Sequence, residues 1–150
     1  MSREGSFSYT ASGRCSLDAA VALLSDPRRQ VELHPLITGV KRLADDAAGH
    51  ARYAISDRLK WGPFAFPITY EATILSVTGD EILTSARQKP TTTVRNHTRL
   101  STNGGIVRAD VEITLRAPNL LFGYAFAQAK TAHLKLGERI SQTFDQLGSS

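Results

Sequence analysis

One cysteine, one methionine and one tryptophan stand among 150 residues. The lone Cys15 excludes an intrachain disulfide and an all-cysteine metal site. A reducing compartment, the cytoplasm, is therefore the simpler expectation. Long hydrophobic runs are missing as well. Nothing approaches the ~18–20 uninterrupted apolar residues of a membrane span, so no integral membrane segment is expected. The most apolar stretch, Leu120 to Ala127, holds Gly123 and stops at Gln128. The opening Met1-Ser2-Arg3-Glu4-Gly5-Ser6 shows no apolar core of a secretion signal. None of the four histidines pairs at helical metal-ligand spacing, and there is no His-Glu-x-x-His run. Ser8, Ser25 and Cys15 show no nucleophile elbow, and a Gly-rich phosphate loop is absent. Neither a metal nor a cofactor is expected.

What is present is an ordinary folded composition, 41% hydrophobic and 21% charged. A chain of this length suits one domain over residues 1–150. The net charge of +4 is spread out, with Arg28-Arg29 the only adjacent arginine pair. A nucleic-acid partner would call for clustered base and exposed aromatics, and none is expected. Only the short ends, Met1–Gly5 and Gly148–Ser150, look unstructured.

Along the chain, Phe7–Arg14 alternates weakly and predicts a first strand. Ser16 offers a helix N-cap, with Leu17, Val21 and Leu24 at helical spacing behind it. Asp26-Pro27 restarts a short helix that ends near Leu33 and His34, before Pro35. Alternation and turn residues then predict strands at Ile37–Leu43, Ala51–Trp61, Ile68–Val77, Glu81–Lys89, Thr92–Thr102 and Ile106–Arg116. Asn119 begins a helix to about Leu147, with Phe122, Phe126, Ala129, His133, Leu136, Ile140 and Phe144 on one apolar stripe. The class is α+β, seven antiparallel strands against one long helix.

Two-residue hairpin loops fix which residues face each other. With Asn103-Gly104 as loop, Val94, Asn96, Thr98 and Leu100 share the inner face with Val107, Ala109, Val111 and Ile113. Arg95, His97 and Arg99 point outward. With Pro90-Thr91 and Gly79-Asp80 as loops, Leu83, Ser85 and Arg87 join the inner face beside Tyr70, Ala72 and Ile74. Pairing Trp61 with Ile68 adds Ile55, Asp57 and Leu59. That face carries Asp57, Tyr70, Ser85, Arg87, Asn96 and Thr98, much polarity to lie beneath a helix. Buried polar groups cost free energy unless satisfied, which favours a solvated or ligand-filled cavity.

The run Ala20-Val21-Ala22-Leu23-Leu24-Ser25-Asp26-Pro27 leads into Glu32-Leu33-His34-Pro35-Leu36. Gly104-Gly105 precedes the last strand, and the final helix is rich in alanine. In this order of elements the chain resembles the START-like (SRPBCC) superfamily, whose fold is the helix grip. That group includes pollen-allergen-like, polyketide cyclase/dehydrase and lipid-transport proteins. The resemblance implies a cavity between sheet and last helix for lipids, polyketides or aromatic metabolites. It carries no catalytic signature, and fold alone is an analogy for function.

The expected ligand-binding residues are Tyr53, Asp57, Trp61, Tyr70, Arg87, Asn96, Thr98, Phe126, Ala129 and His133. Asp57 and Arg87, flanking Ala72, would form a polar pole that orients a ligand carbonyl or acid, or else a structural ion pair. His133, on the helix stripe, suits either a core position or proton transfer. Trp61, Phe64 and Phe66 surround Gly62-Pro63 as a lid or a plug. The leading expectation is a carrier of a small hydrophobic or amphipathic molecule. The alternatives are a cyclase/dehydratase-type enzyme and a protein-interaction module, the last requiring a closed core and an exposed apolar patch. The sequence leaves ligand, reaction and oligomeric state open.

Overall fold

The computed structural model describes residues 1–30, 33, 37–61, 63–88 and 91–149, without the side chains of 59–61, 64–66 and 149. Among them, seven strands form one antiparallel sheet. In chain order these are β1 (Ser2–Arg14), β2 (Ile37–Leu43), β3 (Ala51–Trp61), β4 (Phe64–Val77), β5 (Glu81–Gln88), β6 (Thr92–Asn103) and β7 (Ile106–Pro118). Their order in space is β1-β7-β6-β5-β4-β3-β2. Two short helices, α1 (Leu17–Ser25) and α2 (Pro27–Gln30), follow β1, and α3 (Asn119–Ser149) closes the chain. Ser16 caps α1 as its sequence suggests, Oγ accepting from the Ala19 amide at 3.1 Å.

The turns decide the faces. Gly104 and Gly105 both have positive φ, 61° and 81°, the backbone of a two-residue hairpin loop that glycine adopts without strain. The loop is therefore Gly104-Gly105, and the expected β6–β7 pairing shifts by two residues, Leu100 facing Ala109 and Asn96 facing Ile113. A two-residue shift keeps every face. Thr98 and Leu100 are buried, Arg95 and Arg99 exposed, and Arg99 now meets Asp110.

The connection after β5 has a different outcome. Gln88 faces Thr92, so three residues separate the strands where two were expected. An odd error turns each side chain of β5 over. Ile82, Thr84 and Ala86 face inward, while Leu83, Ser85 and Arg87 face outward. Arg87 is exposed, opposite Glu71, so its expected place on the inner face and its pairing with Asp57 are both corrected. A bulge at Leu75, between Ile74 and Ser76, absorbs the slip and leaves Tyr70, Ala72 and Ile74 inside. Strand β4 begins at Phe64, which faces Trp61. The side chains of Trp61, Phe64 and Phe66, the expected lid or plug, lie outside the described residues. The start of the chain is ordered too. Ser2 to Gly5 pair with Leu115 to Pro118, and the Met1 carbonyl accepts from the Asn119 amide at 3.1 Å.

Helix α3 runs along β1 and touches β7 less. Phe126 meets Phe7 edge to face at 5.6 Å, and His133 sits 5.8 Å from Phe7 and 5.9 Å from Tyr9. The approach is close because side chains are missing where it matters. A Cβ on Gly137 would stand 2.8 Å from the Tyr9 ring, and one on Gly13 2.6 Å from Phe144 Cβ. Further along, Ser141 Oγ accepts from the Ser12 amide at 3.0 Å and Asp145 Oδ1 from the Arg14 amide at 2.8 Å. The helix thereby satisfies donors on the open edge of β1. Phe144, fully buried, contributes about 1.5–3 kcal/mol through its burial.

Candidate functional site

Three cross-strand rows make the concave face. The first reads Leu115, Val94, Ala86, Ala72, Tyr53; the second Ile113, Asn96, Thr84, Ile74; the third Val111, Thr98, Ile82. On one side the rows enter the main apolar cluster, which holds Phe7, Ala109, Val111, Ile113, Leu136, Ile140 and Phe144. On the other lies a second cluster of Ile37, Tyr53, Ile55 and Ala72, with Val40, Tyr70 and Ile74 packed around it. Among the described residues the two do not merge, although one sheet face carries both. A domain usually has one contiguous core with smaller satellite clusters, and here a third cluster of Leu115, Ala117 and Phe122 adjoins the main one through Val94 and Phe126. Between the clusters stand Thr84, Ala86 and Asn96, all half-buried. Two of them are polar, and the third is small.

The polar groups of this face fall in two places. At the centre, Thr98 Oγ1 donates to Asn96 Oδ1 at 2.8 Å, while Thr84 faces Asn96 from β5. The Asn96 amide retains two N–H donors for other acceptors. Towards the end of the sheet where β3 meets β4, Asp57 and Tyr70 come together. Ile55 pairs with Tyr70 and Asp57 with Ile68, which makes the two diagonal neighbours. Burial, and then the Asp57 charge, push the Tyr70 phenol above the ordinary tyrosine range. It stays protonated and is a hydrogen-bond donor. Asp57 Oδ1 also accepts from the Arg58 amide at 2.6 Å. Tyr53, buried, is flanked by the guanidinium groups of Arg28 at 5.8 Å and Arg42 at 5.3 Å.

The other expected site residues are placed as follows. Phe126 and His133 pack on Phe7 and Tyr9 of β1, and Ala129 joins them against the main cluster. Phe7 shares a row with Ile113 and Asn96, two strand spacings or ~10 Å from the asparagine. Arg87 is on the far side of the sheet, and the side chain of Trp61 is not described. Sequence reasoning missed Ile82, Thr84 and Ala86. The signal that would have found them is charge, because an outward Arg87 meets Glu71.

Two open depressions lie elsewhere. One, of about 270 Å³, is on the convex face among His97, Arg99, Asp110 and Glu112. In it His97 Nε2 lies 3.4 Å from a Glu81 carboxylate oxygen, and Thr10 donates to Asp110 at 3.0 Å. The other, of about 660 Å³, opens at the edge of β1 beside Leu134, Gly137 and Glu138. Among the described residues, no three metal-ligating side chains gather, and no helix is long and apolar enough to cross a membrane.

No family model matches the sequence, and no curated protein matches it. Solved structures do. A START superfamily protein from Mycobacterium smegmatis superposes with a TM-score of 0.73 at 14% identity, over 95% of this chain and 98% of that one. Norcoclaurine synthase from Thalictrum flavum gives 0.68 at 10% identity, over 95% and 87%. The di-domain ARO/CYC protein StfQ of the steffimycin biosynthetic pathway gives 0.68 at 11% identity, over 93% of this chain and 51% of that one, so this chain spans about half of it. The strand order, the two helices after β1 and these likenesses together show that the chain has the START-like helix-grip fold.

Proposed function

We propose that this chain binds a small hydrophobic or amphipathic molecule on the concave face, in the space between the two apolar clusters. The observation that carries this reading is the split itself. Ile113 and Ile74, at opposite ends of one cross-strand row, belong to different clusters, with Asn96 and Thr84 between them. An apolar body would lie against both clusters. A carbonyl or acid on it would meet Asn96 and Thr98 at the centre or Tyr70 near the end of the sheet. Phe126, Ala129 and His133 would bound the site from α3. The likeness in fold to a START superfamily protein and to an ARO/CYC protein of a biosynthetic pathway supports a hydrophobic ligand.

Titration with anilinonaphthalene sulfonate, together with native mass spectrometry of protein from its own host, tests the reading. Ala86→Phe fills the gap and should weaken probe binding at least tenfold, a loss of about 1.4 kcal/mol or more. Arg87→Ala, on the outer face, should leave it unchanged. Unaltered binding by Ala86→Phe would defeat the proposal.

A second reading is supported by Tyr70 and Asp57. A phenol held in its neutral form beside a carboxylate suits polarisation of a ligand carbonyl, with Asp57 moving a proton, as a cyclase or dehydratase requires. Turnover of an aromatic polyketide analogue that is lost in Tyr70→Phe while its binding persists would establish it.

A further inference from the structure

The two edges of the sheet are finished differently. Strand β2 is seven residues long, breaks register between Ile37 and Gly39, and exposes Lys41 and Arg42. Shortness, a bulge and charge are devices that keep a free edge from pairing with another chain. Strand β1 has none of them. It is 13 residues long, pairs with β7 without a register shift, and carries no charge between Glu4 and Arg14.

Which groups β1 presents follows from the bonds it makes to α3. The amides of Ser12 and Arg14 donate away from β7, to Ser141 Oγ and Asp145 Oδ1. In an antiparallel pair, alternate residues turn both N–H and C=O away from the partner strand. The unbroken register carries that alternation back along β1. Glu4, Ser6, Ser8 and Thr10 therefore also turn N–H and C=O toward the edge. Ser141 and Asp145 close the edge at Ser12 and Arg14. At Ser8 and Thr10 the depression of about 660 Å³ opens instead, with Leu134, Gly137 and Glu138 of α3 as its other wall.

The shape of this opening decides its partner. Outward N–H and C=O groups at strand spacing are met by another extended backbone, ~4.8 Å away. A second copy of this chain does not fit. Its own α3 overhangs its β1 edge in the same way, and two helices need ~8–10 Å between their axes, more than one strand spacing allows. A lone segment has room. Its apolar residues would lie on Leu134 and Gly137, and a cation would meet Glu138, the one charged side chain lining the depression.

We propose that the β1 edge from Glu4 to Thr10 takes an extended peptide segment of another protein as an added strand, with alternating apolar and polar residues and a Lys or Arg. The edge lies apart from the concave face, so the docking stands whether or not that face takes a ligand.

Amide hydrogen exchange and fluorescence anisotropy with a labelled peptide, Lys-Val-Thr-Val-Thr-Val-Lys with blocked ends, test it. On peptide addition the Ser8 and Thr10 amides should gain ~tenfold or more in protection, while Ser12 and Arg14, already bonded to α3, stay as they were. An analogue N-methylated on every central residue cannot pair and should bind ~tenfold or more weakly. Ser8→Pro removes an outward donor and spares the bonds to β7, the setting in which a strand tolerates proline. It should keep its melting temperature and lose peptide binding ~tenfold or more. Leu134→Lys, on the exposed side of α3, is the second variant. It should weaken the cationic peptide and leave anilinonaphthalene sulfonate binding unchanged, and it decides the matter if Ser8→Pro proves unstable. Equal binding of the methylated analogue, undiminished binding by Leu134→Lys, or unprotected Ser8 and Thr10 amides at millimolar peptide would overturn the proposal. So would protection of these amides that rises with protein concentration alone, which would assign the edge to a second copy.

Discussion

The β1–β7–α3 half and the β2–β3–β4 wing share one sheet, yet they are packed by different means. In the first, α3 lies on the strand so closely that Gly13 and Gly137 leave no room for a Cβ, and Val107, Ala109, Ile113 and Phe144 have no exposed surface. In the wing, a separate cluster holds Tyr53, Ile55 and Ala72, and side chains such as Tyr70 and Ile74 are only half-buried. Helix α3 contacts β1 and β7, while α1 contacts β5 and β6. The first, tight half is packed through α3, and the wing holds a smaller cluster of its own.

The largest expected effect is in the tight half. Phe144→Ala should cost about 3–5 kcal/mol, the range for deleting a buried aromatic, read as a shift of the urea midpoint at constant slope. A loss under 1 kcal/mol would mean that α3 is not what stabilises the domain. A sharper comparison sets two alanines against each other. Ala109 is fully buried in the main cluster and Ala86 half-buried between the clusters. Ala109→Leu should cost about 1–3 kcal/mol by overpacking, while Ala86→Leu should stay within about 0.5 kcal/mol of wild type and weaken probe binding. Equal costs would show that the gap over β5 is filled.

The next contrast is between two tyrosines. Burial alone pushes the Tyr9 phenol up, whereas burial and then Asp57 push up Tyr70. A phenol raised in the folded state contributes stability that is fully present below the ordinary tyrosine value of ~10. That contribution is lost as pH rises through the raised one. Ultraviolet titration should show both ionising above the ordinary range. Asp57→Asn should lower Tyr70 and leave Tyr9 alone, with Tyr9→Phe and Tyr70→Phe assigning the two steps. If Asp57→Asn moves neither, the Asp57–Tyr70 pole does not exist.

The element order could be read from the chain because each hairpin announces itself by turn residues and each strand by alternation. Faces are harder, because side-chain direction has period two and depends on the parity of every loop. Taking Asn103-Gly104 in place of Gly104-Gly105 was an even error and left Asn96 and Thr98 facing inward. Starting β4 at Ile68, when its pairing begins at Phe64, was also even, and Asp57 and Tyr53 kept their side. The three-residue connection after Gln88 was odd, and it moved Arg87 across the sheet and hid Thr84 and Ala86. The bulge at Leu75 left no mark in the sequence and restored Ala72 by cancelling that slip. Residues of the tight half, such as His133, were found through helical periodicity, which no hairpin loop disturbs. Which of them touches β1 is tertiary information.

The smallest effect concerns the outer turn of the wing. The Asp46 carboxyl is held below the usual carboxylate range, first by the His50 amide at 2.8 Å, then by the His50 ring at 2.9 Å and the Ala48 amide at 2.9 Å. A carboxyl lowered in the folded state contributes stability above its ordinary value of ~3.9, and that contribution disappears as pH falls through the lowered one. The group is half-buried in a surface turn, and the whole domain should barely respond. Locally, amide hydrogen exchange at Ala48 and His50 should quicken on acidification, while the amides of Phe7 and Val111 in the tight half keep their protection. Asp46→Asn should remove the pH dependence and leave Ala48 and His50 exchanging faster throughout. Local opening of this kind is expected where few buried contacts hold a segment. If instead the turn and the β1–β7 amides lose protection together, the sheet opens as one unit, and the division into a tight half and a separately packed wing fails.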